Sequence, residues 1–276
     1  MDGGFDEIGY WTEVKLDIVR EYAGAYSRIL AAQRDPQLYH IYIDAFAGAG
    51  VNVSRQTGNF VPGSPLNALN VRPQFREHHL IDIDRNKADS LRAITSGRTD
   101  VHVYEGDCNA LLLEKVFPLA RYEDYRRALC LLDPYGLHLN WEVIAIAARM
   151  LSIEIFLNFP VEDMNRNVLW RNPDRVLSSQ IARMSAYWGD DTWRDVAYDT
   201  SRDLFGYPVK TENDTIAAAF RDRLRDVAGF ASVPDPLPMR NSRGAVVYYL
   251  FFASQKPVAE RIVKDIFQKY RDRGAV

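Results

Sequence analysis

Cysteine is nearly missing from this chain. Cys108 and Cys130 are the only two in 276 residues, too few for a disulfide framework and without the paired spacing of a zinc site, so a reducing compartment is expected. Long apolar runs are missing as well. No stretch approaches the roughly 20 apolar residues that span a bilayer, and the start of the chain shows no basic segment followed by an apolar core and cleavage site. These absences point to a cytoplasmic protein with no membrane partner. Charge of one sign is not in excess either: 34 basic residues face 37 acidic ones, a formal net charge of -3. Such a chain has no global attraction for phosphate backbones, so a nucleic-acid contact would need a local patch. The five histidines show no metal spacing, because His78 and His79 are adjacent while His40, His102 and His138 stand apart; no metal is expected. No low-complexity tract or fixed-period repeat is present.

What is present is an ordinary globular composition, 47% hydrophobic and 26% charged, enough to bury one sizeable core. A single domain over residues 1–276 is expected, embellished by a mostly helical insertion over residues 161–230. Trp11, Val14, Ile18, Tyr22, Tyr26 and Ile29 recur at helical period and predict an amphipathic helix ahead of the first strand. Residues 39–45 (YHIYIDA) are aromatic and β-branched and run into a glycine turn, the pattern of a buried strand. Residues 79–82, 101–104, 129–132 and 153–159 read as further strands covered on both faces, with helical patterns between them. That alternation predicts parallel βαβ units and a doubly wound α/β sheet. Ser64-Pro65, Asn109 and Asn140 stand where helix N-caps belong. The insertion carries Trp170, Trp188 and Trp193, and a helix with Ile216, Phe220, Leu224 and Val227 on one face. A hairpin is predicted between residues 237–241 and 245–253 across Ser242-Arg243-Gly244, followed by a final helix through Ile262, Ile266 and Phe267.

The chemistry concentrates in Asp44-Ala45-Phe46-Ala47-Gly48-Ala49-Gly50, an acid and two glycines on the loop leaving the first strand. A phosphate-binding P-loop needs Lys-Ser or Lys-Thr after its last glycine, and Val51-Asn52 stands there instead. A dinucleotide-binding turn needs a third glycine where Val53 stands, and an acid roughly 20 residues on, where this chain has its next strand-end acid 38 residues on, from Asp44 to Asp82. An acid beside a pyrophosphate is also repulsive. The pattern suits a cationic ligand. S-adenosylmethionine carries a sulfonium and an ammonium group and no phosphate, so Asp44 would hold its amino-acid end while Gly48 and Gly50 allow close backbone approach. The alternative reading is a plain strand-to-helix turn with a capping acid.

Acids recur at the ends of the next strands, where ligands of open α/β sheets bind. In Leu80-Ile81-Asp82-Ile83-Asp84, Asp82 is placed to accept both ribose hydroxyls, Ile83 to lie on the adenine, and Asp84 to cap the following helix. In Glu105-Gly106-Asp107-Cys108, Asp107 is placed to accept from the exocyclic adenine amine. Phe46 and Cys108 complete the expected cofactor-binding set. Any one of these acids alone reads first as a helix cap. The fourth strand delivers Asp133-Pro134-Tyr135-Gly136, in which Asp133 and the Pro134 carbonyl would accept from an acceptor N–H or O–H and Tyr135 would stack on a flat substrate. The same four residues are also a common β-turn.

Taken in order, D-A-F-A-G-A-G, G-S-P-L-N-A-L, I-D-I-D, G-D-C-N, L-D-P-Y-G and N-F-P resemble the three-Cys-motif partner proteins, a bacterial family with a class I S-adenosylmethionine-dependent methyltransferase fold. The resemblance spans residues 11–160 and resumes from Tyr248. It implies a mostly parallel, seven-stranded Rossmann-like sheet whose last strand is antiparallel, S-adenosyl-L-methionine as cofactor, and the cofactor roles of Asp44, Gly48, Gly50, Asp82 and Asp107. It also implies a partner protein with a cysteine motif encoded nearby. Amino-methylating members of the class often have a second proline after the fourth strand, which Asp133-Pro134-Tyr135 lacks.

On the acceptor side, a sixth strand parallel to the first five would bring Arg240, Asn241 and Arg243 to the edge that carries Asp133, favouring an anionic acceptor. Residues 239–276 hold eight Lys or Arg against three acids, a stretch that reads equally as phosphate contacts or as a solvated helix and hairpin tip. Asn158, ending the fifth strand, is placed to enter the cleft or to serve a turn. The insertion, with ten basic and twelve acidic residues, suits a lid or partner-docking surface better than a nucleic-acid clamp, and its tryptophans read as core. Two functional classes remain: a methyltransferase acting on nitrogen or oxygen, and a cofactor-binding accessory subunit whose partner does the chemistry. A nicotinamide-dependent oxidoreductase is a distant third.

Overall fold

The computed structural model describes residues 6–199, 208–241 and 243–271. Seven strands form the main sheet: β1 Tyr39–Asp44, β2 Glu77–Asp82, β3 Val101–Glu105, β4 Arg126–Leu132, β5 Ile153–Phe159, β6 Leu237–Arg240 and β7 Val246–Ala253. Their order is β6-β7-β5-β4-β1-β2-β3. Neighbours among β1 to β5 pair in parallel, while β7 runs antiparallel to both β5 and β6. The sixth strand is therefore parallel to the first five, and the carboxyl ends of six strands share one edge.

The helices are α1 Tyr10–Ala31, α2 Ser64–Leu69, α3 Arg85–Ile94, α4 Cys108–Leu111, α5 Trp141–Arg149, α6 Val161–Asn167, α7 Ser178–Trp188, α8 Trp193–Ala197, α9 Asn213–Asp226 and α10 Pro257–Arg271. They cover both faces of the sheet. In β1, Ile41 and Ile43 join the core with α5 and the insertion helices, while Tyr42 joins the core with α1 and α10. Ala128, Cys130 and Leu132 of β4 divide from Leu129 and Leu131 in the same way. Side chains that alternate between two buried faces leave a continuous apolar run, which is why these strands show no polar period.

Strands β2 and β4 start earlier than their apolar runs. Glu77 accepts from the Tyr39 hydroxyl at 2.7 Å and from Arg126 at 3.3 Å, so polar side chains at the amino edge are satisfied there and the ladder extends through them. A small three-stranded sheet was not legible: Asp6–Ile8 pairs in parallel with Val51–Ser54, which pairs antiparallel with Phe60–Pro62. Each piece is too short to show a period.

The insertion holds α6 to α9 and a short pair, Tyr198–Asp199 with Val209–Lys210. Trp188, Trp193, Ile216, Phe220 and Leu224 are buried in the same core cluster as β4 and β5. Trp170 is 40% exposed and Val227 57%, against the expectation for both. Helix α9 ends at Asp226, so Val227 falls off its buried stripe. In the hairpin, β6 and β7 pair as expected with a register shift at Met239/Arg240; Ser242 lies outside the described residues.

Candidate functional site

The glycine loop leaves β1 at the carboxyl edge. Asp44 is fully buried and accepts from the Tyr42 hydroxyl at 3.3 Å and from the Phe46 N–H at 3.4 Å. Burial pushes its carboxyl up to about 7, opposed by those hydrogen bonds and reinforced by the charge of Asp133. Gly48 and Gly50 have φ of +66° and +84°, a region that glycine enters without the Cβ penalty. Phe46 rests half-buried against the core. Ser64, expected as a cap, is instead the first residue of α2 with Gly63 as its N-cap.

Gly63 is a residue that sequence reasoning missed. Its N–H donates to the Gly50 carbonyl at 2.8 Å, and a Cβ there would lie 2.9 Å from that oxygen. The hairpin thereby returns to brace the glycine loop. Gly63→Ala is expected to cost about 1 to 3 kcal/mol, the scale of overpacking a fixed backbone, and to weaken cofactor binding with it. Denaturant melts of the variant check this; an unchanged midpoint would show that the brace can yield.

Asp82, ending β2, accepts from the Gly48 N–H and the Asp84 N–H, both at 2.8 Å. A carboxylate offers about four acceptor positions, so positions remain for a diol. Ile83 beside it is 76% exposed. Asp84 caps α3 as expected, accepting from Asn86 and Lys87. Asp107 caps α4 through Oδ1, which also takes the Asn109 amide at 2.9 Å; Oδ2 remains open. Asn109 is not a cap. Its amide spans to the His138 carbonyl and its oxygen accepts from the Asn140 N–H, joining the loops after β3 and β4. Asn140 is the N-cap residue of α5, without a side-chain cap bond. The Cys108 side chain belongs to the core, and burial pushes its thiol up to about 12.

The fourth acid brings in another residue missed from sequence. Asp133 accepts from Lys15 through Oδ2 and from the Asn158 amide through Oδ1 at 2.9 Å. Lys15 sits on α1, with a side chain 5% exposed against 24% for Asp133. It also lies 5.4 Å from the Tyr248 ring. Its signal was present, since position 15 lies four residues after Trp11 and next to Val14, a cation within an apolar stripe. The structure thus joins Asn158 to Asp133, and the Asn158 Oδ1 is buried without a partner among the described residues. Pro134 is buried, and Tyr135 is 73% exposed with the Lys87 ammonium 5.7 Å from its ring. Lys87 in turn pairs with Asp6 of the small sheet at 2.7 Å. Gly136 has φ +60°, and a Cβ there would meet Asp163 of α6 at 2.6 Å, so the loop after β4 packs directly on the insertion.

The turn between β6 and β7 reaches the same edge, but not all of its residues are free. Asn241 accepts from the Arg243 and Ala245 N–H groups at 3.0 and 3.1 Å, which ties its side-chain oxygen into the turn. Arg240 donates to the Gly244 carbonyl at 2.9 Å, and both Arg240 and Arg243 are exposed. Part of the terminal basic excess is paired on the protein itself, Lys269 with Glu21 and Lys264 with Glu260. A cavity of about 680 Å³ lined by His40, Phe75, Arg76, Arg98 and Asp100 opens at the opposite edge, and no motif residue lines it. Among the described residues no group of three His, Cys, Asp or Glu is arranged to hold a metal ion, and no helix is long and apolar enough to cross a membrane.

No protein-family model matches the chain, and no curated protein does. Solved structures do. Protein LPL1258 of Legionella pneumophila, described under the family DUF519, is 13% identical, with a TM-score of 0.53 over 94% of this chain and 93% of that one. An S-adenosylmethionine-dependent methyltransferase of Leishmania major is 10% identical, with a TM-score of 0.38 over 88% and 82%. The plantazolicin methyltransferase BamL, solved with S-adenosylhomocysteine, is 11% identical, with a TM-score of 0.36 over 89% and 88%. The first of these likenesses shows a shared fold, and a shared fold leaves function to be argued from the site.

Proposed function

We propose that this chain is an S-adenosylmethionine-dependent methyltransferase acting on a nitrogen or oxygen acceptor. One observation carries the reading: Asp133, Asp44, Asp82 and Asp107 stand at or just past the carboxyl ends of the adjacent strands β4, β1, β2 and β3, with two positive-φ glycines on the loop after Asp44. Such an edge suits a ligand with a cation at one end and a diol in the middle, and disfavours a pyrophosphate. Asp44 would hold the amino-acid end, Asp82 the ribose, Asp107 and Ile83 the adenine. The bound cofactor supplies a methyl group on a sulfonium. The protein's part is alignment of the acceptor by Asp133 and the Pro134 carbonyl, and exclusion of water by the loops around Tyr135.

The order of motifs shared with the three-Cys-motif partner proteins supports the same reading and adds a neighbouring protein as partner, with the insertion as its docking surface or as a lid. Arg240 and Arg243 would contact an anionic part of the acceptor remote from the reacting atom, since β6 lies three strand spacings, about 14 Å, from β4. Ligand-induced stabilisation tests the cofactor. S-adenosylhomocysteine at 100 times its Kd is expected to add about 2.7 kcal/mol to the folded state and raise the melting temperature, while NAD and ATP leave it unmoved. Stabilisation by NAD alone would overturn the assignment.

A further inference from the structure

Lys15 is a buried cation that none of the roles above requires. It comes from the helix before the first strand, yet its ammonium meets Asp133 Oδ2, 118 residues away in sequence. The other carboxylate oxygen takes the Asn158 amide. Asn158 is itself buried, and its remaining oxygen has no partner among the described residues. The carboxylate of Asp133 is therefore already matched by a cation and lies beside the buried amide of Asn158, with the main-chain carbonyl of Pro134 next in the chain. These are acceptors of hydrogen bonds with little net charge between them. The Tyr248 ring lies on a further side of the ammonium at 5.4 Å, and among the described residues no second acid is paired with Lys15.

We propose that Lys15 is a positioning and specificity residue that makes the acceptor pocket select neutral N–H or O–H groups and reject ammonium groups. The inference rests on the methyl-transfer reading and narrows its substrate class. An aliphatic amine arrives at neutral pH as an ammonium; beside an unmatched aspartate it would be welcomed, but here Lys15 occupies that place and repels it. A neutral amino, amide or hydroxyl group meets no such barrier. It can donate to the free positions on Asp133 and to the Pro134 carbonyl, which aims its lone pair at the methyl. That lone pair forms the new bond to carbon, the carbon–sulfur pair returns to sulfur, and the proton left on the acceptor passes to water.

The test needs no acceptor. Sinefungin is the cofactor analogue with an amino group where the sulfonium methyl stands, so its ammonium probes this pocket, and S-adenosylhomocysteine, which carries no charge at that position, is the reference. Calorimetric titration of both ligands into wild type and Lys15→Arg is expected to show sinefungin binding no more tightly than S-adenosylhomocysteine. In Lys15→Met, sinefungin is expected to gain at least about tenfold relative to S-adenosylhomocysteine, the scale of one unmatched charge in a partly dry site. In Asp133→Asn, where Lys15 keeps its charge without a counter-ion, sinefungin is expected to lose at least about tenfold by the same reasoning. The second variant keeps the test open should Lys15→Met fail to fold. An unchanged ratio in either folded variant overturns the role of Lys15, as does a strong sinefungin preference in wild type. Failure of wild type to bind either ligand overturns the methyl-transfer reading, and this inference with it.

Discussion

Asp133→Asn is expected to keep S-adenosylhomocysteine affinity within about threefold of wild type while lowering methyl transfer by roughly 100-fold or more, the scale of misaligning the reacting group. Binding and chemistry separate here because Asp44, Asp82 and Asp107 lie on β1, β2 and the loop after β3, whereas Asp133 follows β4. Asparagine preserves the shape of the contact with Asn158 but offers one acceptor oxygen in place of two, and it leaves Lys15 without a counter-ion. Labelled donor incubated with cell extract, then fractionated into RNA, DNA, protein and small molecules, supplies the assay. Equal loss of binding and transfer would place Asp133 in the cofactor site. Tight cofactor binding by wild type without transfer to any fraction, with or without its genomic neighbour, would establish the accessory-subunit reading.

Cofactor affinity is expected to rise by up to tenfold per pH unit between about pH 5 and pH 7, the limit for one linked proton. Burial first, and then the charge of Asp133, raise the Asp44 carboxyl from its ordinary 3.8 to about 7. A cationic ligand end favours the ionised form, so binding releases a proton wherever the empty site is still protonated. For stability the sign is opposite. A raised acid contributes most below its unfolded value of 3.8, and that contribution is lost as pH climbs to about 7. The empty protein is therefore expected to lose stability across that window and the complex to lose less. Asp44→Asn should flatten both profiles. Calorimetry in two buffers of different ionisation enthalpy, kept below the titration of the ligand's own amine near pH 7.7 to 8, measures the released proton directly. A pH-independent affinity in wild type would remove Asp44 from the cationic end of the site.

Much of the edge was legible because its signals are local. An apolar run that closes on an acid marks a strand end, and successive strand ends in a parallel sheet share one edge. Asp44, Asp82, Asp107 and Asp133 were found by that rule. Ser64 and Asn109 are both good cap residues, but Gly63 takes the N-cap position expected of Ser64, and the Asn109 side chain reaches the loop after β4. Asn241 shows the reverse, a polar residue placed at the right edge but tied into its own turn.

By itself, then, the sequence determined the strand and helix alternation, the two buried faces and the row of carboxylates, since period and chain order are properties of neighbouring residues. Only the tertiary structure decided what each carboxylate meets. Lys15 reaches Asp133 across 118 residues, Gly63 closes on Gly50 through a hairpin whose strands are too short to show a pattern, and α6 presses Asp163 against Gly136. These contacts depend on which elements pack together. That choice is made by the summed burial of the whole core, which no short window of sequence contains.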